Sequence, residues 1–440
     1  MKIGSFRWFI LIFVSLVFFI NFVDRIIISF STESIMKEFG FSATQWGIIL
    51  SAFFWGLVPF GFLSGIAADK WGPKKVLGVG AAWWSIFTMA TPLAFNYVTF
   101  IIARFLFGVG EGPTLSNGIR IVSNWARPKE YSTAVSTVFL GVKLGPALGA
   151  PIVAWLIVSY GWRVAFYVMG FAGLIWLIGW RKWFTDNPAD SKYMSKEEKD
   201  MLSVEQGDIH NKSEEKPSIK NLFKLPKEVR GSILANFWTG ACFGYTYYFL
   251  MTWLPGYFSM QLNLDLKSMG YTMMFIYLAA GICAIISGKV LDHFTNKTGN
   301  RRFWAYWQTA CFSIIAVSLF FIGKATSSTS LILIILLFVV GLSAAVFSET
   351  CINMIIPSLA PKQAGSMAGI LQLSYTIPGI IAPILTGVIV DATGSFSNAF
   401  YINAILLVTG AIVSILFIKP PKQQTADTSL TEDNPVFIHH

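Results

Sequence analysis

A chain of 440 residues that is 54% hydrophobic and 13% charged, with a mean hydropathy of +0.60, carries roughly half the charged fraction of a soluble globular protein. Several apolar runs reach the ~20 residues that cross a ~30 Å hydrocarbon core, so the composition specifies a polytopic α-helical membrane protein and excludes a porin-like barrel. The net charge of +10 does not call for nucleic acid, because the basic residues lie in short loops where positive-inside topology accounts for them.

In chain order, about twelve spans are expected, the first near residues 8–30 and the last near 398–418. The opening MKIGSFRWFILIF resembles a signal peptide in charge, but its apolar run continues to Asn21 without a small-residue cleavage site and reads as a retained first helix. Lys70, Lys74, Lys75, Arg127, Lys129, Lys289, Lys297, Arg301, Arg302 and Lys362 fall in alternate loops together with both ends of the chain. Both termini are therefore expected on the cytoplasmic side of a cell membrane. Residues 1–180 read as an N-terminal six-helix half, 181–229 as a charged cytoplasmic linker, 230–420 as a C-terminal six-helix half and 421–440 as a cytoplasmic tail. The tail ends in His439-His440, either native or the remnant of a tag.

The halves echo each other. Gly65-Ile-Ala-Ala-Asp69-Lys70-Trp-Gly72-Pro-Lys74-Lys75 follows the second span, and Gly288-Lys289-Val-Leu-Asp292 follows the eighth, ahead of Arg301-Arg302. Asp69, Lys70 and Asp292 are candidate gating residues, since acids beside basic groups at helix ends can pair across two moving halves.

The fourth span carries Arg104 and Glu111 where membrane depth is expected. Seven residues fall about 20° short of two full turns, so both side chains share one helix face. A charge at the bilayer centre costs roughly 2.5–3.5 kcal/mol on insertion scales, so such groups face a polar cavity or a partner. The first span contributes Asp24 and Arg25, and the fifth contributes Lys143 within Gly141-Val142-Lys143-Leu144-Gly145-Pro146.

Cys242, Cys283, Cys311 and Cys351 sit inside apolar segments without metal spacing, so no metal or cofactor is expected. No Walker loop, HExxH, GxSxG or histidine cluster occurs, and an enzyme is not expected.

With these residues in view, the chain resembles the major facilitator superfamily over nearly its whole length. Three local stretches resemble its anion:cation symporter family, which includes bacterial D-galactonate and hexuronate carriers and the vesicular glutamate carriers. They are Asn21-Phe22-Val23-Asp24-Arg25, Arg104…Gly108…Glu111-Gly112-Pro113…Asn117 and Tyr248…Thr252-Trp253-Leu254-Pro255. The resemblance implies an all-α membrane fold of two pseudo-symmetric six-helix halves and proton-driven symport of an organic anion by a monomer. It also implies Arg25 as an anion ligand, Asp24 and Glu111 as proton carriers, and Arg104 as the charge partner of one of them. The family's sugar-acid members usually have Tyr where this chain has Phe22 and Leu57, and neutral polar residues where it has Lys143.

Arg25 can hold a carboxylate through two parallel hydrogen bonds, and Lys143 suits a second anionic group. Two cations at that depth point to a dianionic substrate, or to a Lys143 that is neutralised by Glu111 or titrates itself. Glu349, a third acid within a span, either pairs with Lys143 across the halves or sits near one rim. Asn236, Tyr248, Asn353, Gln372 and Thr376 are candidate substrate contacts from the second half, Gln372 and Thr376 sharing a face four residues apart. A drug/proton antiporter of the same fold, or an anion exchanger or uniporter, is the alternative. Arg25, Arg104 and Lys143 favour an anionic cargo over a cationic one.

Overall fold

The computed structural model describes residues 5–206, 227–298, 302–359 and 364–419. Sixteen α-helices occur among them, with short 3-10 turns between. The linker beyond Gln206 and the tail beyond Lys419, with its terminal histidines, lie outside the described residues.

The first half comprises α1 (Ser5–Phe30), α2 (Thr32–Phe39), α3 (Ala43–Trp71), α4 (Pro73–Ala90), α5 (Tyr97–Glu111), α6 (Pro113–Trp125), α7 (Tyr131–Tyr160) and α8 (Trp162–Trp183). A short α9 (Lys196–Gln206) follows. The second half comprises α10 (Lys227–Met260), α11 (Leu266–Thr298), α12 (Phe303–Gly323), α13 (Leu331–Leu359), α14 (Ala364–Thr376), α15 (Pro378–Thr393) and α16 (Ser397–Phe417). Among the described residues, eleven stretches are long and apolar enough to span a membrane. With the 34-residue α10 they form two six-helix halves.

Local chemistry sets the helix ends. Ser42 accepts from the Gln45 N–H while the Gln45 side chain accepts from the Ser42 N–H, a capping box that starts α3. Gly72, at φ 78°, turns the chain out of α3, and Pro73 opens α4 at its first position. Proline also divides two spans that read as continuous in the sequence: α6 begins at Pro113 and α15 at Pro378. The amphipathic α2, with its Glu33–Lys37 pair one turn apart, is an additional element that hydropathy alone did not reveal.

Helices in a bilayer gain no hydrophobic drive from meeting each other, so close backbone approach through small residues carries the packing. A β-carbon at Gly108 would collide with the Phe53 carbonyl, so that glycine lets α5 lie directly on α3.

Contacts between the halves gather at the end remote from the termini. There α3 packs on α15 and α7 on α11, Ser51 Oγ donates to the Ile380 carbonyl at 2.7 Å, and Phe54 meets Tyr248 edge-on at 4.5 Å. Beyond Trp55 on α3 and Ile282 on α11, the side chains Phe62, Leu63, Ile66, Ile285 and Ile286 are exposed. The cleft is closed at the α2 end and open toward the face that carries the start of α1 and the end of α16. On that face α9 docks to the first half, where buried Arg7 reaches Glu130 at 2.5 Å and Glu198 at 3.4 Å.

Candidate functional site

Two ion pairs occupy the middle of the molecule. Arg25, one turn and a half from the end of α1, donates through Nε to Glu111 Oε2 at 2.6 Å, and Glu111 is the last residue of α5. The guanidinium lies 4.4 Å from the Phe22 ring centre and 5.2 Å from that of Phe53. Arg104 stacks on the other ring neighbours, 4.7 Å from Phe107 and 5.2 Å from Phe53. Phe53 thus sits between two cations, with its electron-rich face available to both. Both carboxylate oxygens of Asp24 are buried without a hydrogen-bond donor among the described residues, and Arg104 and Glu111 lie within electrostatic range.

The second pair joins the halves. Lys143 Nζ of α7 lies 3.2 Å from Glu349 Oε2 of α13. Its side chains are 37% and 31% exposed, whereas those of Arg25 and Glu111 are 5% and 0% exposed, so one pair faces the cleft and the other is sealed. The cleft-facing pair borders a cavity of about 60 Å³ whose other lining includes Val142, Phe243, Tyr247 and Tyr277. Tyr247 and Tyr248 lie within electrostatic range of both Arg25 and Glu349 and connect the two pairs.

This geometry revises several expectations. Glu111 shares a helix face with Arg104, yet its hydrogen-bonded partner is Arg25, because α1 packs close enough for the shorter contact. Arg25 meets Glu111 through Nε alone, a single hydrogen bond to one carboxylate oxygen. Lys143 is paired with Glu349 of the other half rather than with Glu111. Asp69 pairs with Arg120 of α6 within its own half rather than across the halves, because the cleft is open at that end. Lys70 rests over the Trp71 ring at 5.7 Å, and Asp292 is exposed.

The second-half candidates divide in the same way. Asn236 is fully buried and donates to the Ile352 carbonyl at 3.0 Å, a tie between α10 and α13 away from the cavity lining. The Thr376 hydroxyl returns to the Gln372 carbonyl at 2.8 Å, one turn back along its own helix, while the Gln372 side chain is exposed. Asn353 accepts from the Tyr375 hydroxyl at 3.1 Å. Tyr248 is packed at the closed contact against Phe54, and Trp253 donates to the Pro383 carbonyl at 3.0 Å. Sequence reading passed over Phe53, Phe243 and Tyr277, since an aromatic residue in a span gives no sign of which ring will face a charge.

A helical bundle of two six-helix halves around a central cleft, with ionised groups at its middle, is the construction of a membrane transporter. The Major Facilitator Superfamily family model matches residues 14–383 and again 296–439. The chain belongs to that superfamily, and its relatives are those of the anion:cation symporter type. It is 30% identical to the hexuronate transporter of Bacillus subtilis over 435 residues, covering 97% of this chain and 98% of that one. It is 29% identical to a probable sulfoacetate transporter of Cupriavidus necator, covering 92% of each. A solved bacterial homolog of the human lysosomal transporter Spinster, in an inward-facing conformation, aligns at TM-score 0.71 and 16% identity over 94% of this chain and 96% of that one, a likeness of fold. Proteins of this family are membrane transporters, not enzymes, and the named relatives carry small organic anions.

Proposed function

We propose that this protein is a proton-coupled symporter that brings an organic carboxylate into the cell by alternating access. The observation that supports this reading best is the Lys143–Glu349 pair, a cation and an acid from opposite halves facing one cleft. Anionic cargo entering the cleft meets Lys143 first and Arg25 behind Tyr247 and Tyr248, while Asp24 and Glu111 hold the coupling protons. Among the described residues Asp24 has no donor, and Glu111 sits at the junction of α5 and α6, where a change in protonation can alter the helix contact.

The two halves, residues 1–180 and 230–420, rock as units about the central site, joined by the 181–229 linker. Asp69, Lys70 and Asp292 act at the open end, and Asp69 would exchange Arg120 for partners in the other half when that end closes. The face bearing Lys70, Lys74, Lys75, Arg127 and Lys129 is cytoplasmic, in a cell membrane, by the positive-inside rule. The open cleft then faces the cytoplasm, and the carrier works as a monomer.

Purified protein in proteoliposomes, tested with radiolabelled glucuronate, sulfoacetate and benzoate under an inward-directed proton gradient, is expected to accumulate at least one of them until a protonophore collapses the gradient. Uptake of lipophilic cations with no carboxylate transported would overturn the assignment.

A further inference from the structure

We infer that Glu349 is a substrate-triggered proton acceptor: a monocarboxylate entering the cleft takes over Lys143, and Glu349, released from its partner, binds one proton. The inference rests on the carboxylate-transport reading above and adds a group from the second half to the coupling chemistry.

Access is the first reason. An anion reaching Arg25 must displace a sealed contact at 2.6 Å under two aromatic rings, whereas Lys143 stands at a longer contact of 3.2 Å on the cavity wall. A hydrogen-bonded ion pair that is partly solvated exchanges partners more readily than one that is dry. Lys143 is therefore the cation that cargo can engage without dismantling the first half.

The surroundings of Glu349 are the second reason. Lys143 faces it from α7, Tyr247 and Tyr248 from α10, Tyr277 lines the same cavity from α11, and Tyr375 approaches from α14. Among these groups Lys143 is the one cation in contact with it, since Arg25 is held by Glu111. The remaining lining includes the apolar Val142, Pro146, Phe243, Leu250 and Leu342. A carboxylate that loses its cation in such a wall favours its neutral form.

Charge balance fixes the number of protons. Lys143 and Glu349 sum to zero, a bound monocarboxylate makes the cluster negative by one, and one proton restores neutrality. The proton comes from water at the open end and forms an O–H bond on Glu349, with no other bond made or broken. Cargo and proton thus enter as a neutral set, the condition for carrying the cluster through the closed state at low electrostatic cost.

The test is calorimetric titration of full-length protein with three singly charged acids, glucuronate, L-galactonate and benzoate, at pH 7, in phosphate and in Tris. Binding heats that differ between buffers report protons taken up per acid bound. Wild type is expected to take up about one proton more than Glu349→Gln, which binds the acid at least as tightly because Lys143 has lost its competitor. Glu349→Asp should restore the uptake, and Lys143→Gln should weaken binding tenfold or more. Unchanged proton uptake in Glu349→Gln, or unchanged affinity in Lys143→Gln, would overturn the inference while leaving carboxylate transport standing. Failure of wild type to bind any of the three acids would remove both.

Discussion

The two carboxylate oxygens of Asp391, near the end of α15, accept from the backbone N–H groups of Ala43 at 2.8 Å and Thr44 at 2.7 Å. An acid of one half therefore caps the first turn of α3 in the other, meeting unpaired N–H groups and the positive end of the helix dipole. The closed end cannot open without breaking this cap. Asp391→Ala removes a contact worth about 1 kcal/mol, which should raise the population open at that end about fivefold. Spin labels at Lys37→Cys and Lys267→Cys, in exposed positions on opposite halves at that end, should show a larger long-distance fraction in the variant. An unchanged distance distribution would mean the cap contributes nothing to closure.

Glu111 tests the proton reading. Glu111→Gln keeps the shape of the side chain and a hydrogen-bond acceptor for Arg25 Nε, but it can no longer gain or lose a proton. Counterflow exchange of a preloaded acid should persist in proteoliposomes, whereas accumulation against a gradient should fall to equilibration. Uphill uptake at the wild-type level would remove Glu111 from the coupling.

The span pattern was legible because bilayer thickness and the cost of an unsatisfied backbone leave few ways to write a membrane helix, and the charges within spans marked the site for the same reason. Partnership was not legible. The spacing of Arg104 and Glu111 concerns a single helix, while Arg25 and Glu111 are 86 positions apart and meet only through the packing of α1 on the fourth span. Lys143 and Glu349 are separated by 206 positions, and the sequence left their pairing as one of two choices. Asp391 drew no notice, since an acid near the end of a span looks like an ordinary boundary residue until another helix start is found against it. The prolines at 113 and 378 were visible, but whether they kink a span or divide it depends on neighbouring helices.

Phe53 is held between Arg25 and Arg104 by the close approach of α3 to α5, and Gly108 sets that approach. Gly108→Val places two extra methyl groups and a β-carbon against the Phe53 carbonyl, where neither backbone can withdraw without parting the helices. Overpacking of this kind costs about 1–3 kcal/mol. The variant should melt at lower temperature in detergent and lose anion binding together with stability. Val at Gly65, where a β-carbon meets open space, is the matched control and should do neither.

At the closed end, the Arg163 guanidinium donates to both oxygens of Glu38, and Trp162 Nε1 donates at 3.0 Å, fastening α2 to the start of α8. The hydrogen bond from Arg163, seconded by that of Trp162, holds the Glu38 carboxyl below its ordinary value of 4.5. Because the folded state binds this proton less tightly than the unfolded chain, the pair's contribution is present above the ordinary value and disappears as pH falls through the lowered one. Both partners are exposed, so the contribution is small, about 1–2 °C in melting temperature. Glu38→Gln should therefore melt slightly below wild type at pH 7, and the two curves should converge on acidification below about 4.5 as wild-type Glu38 becomes neutral. A gap that stays constant across that range would show that packing, rather than the ion pair, carries the effect.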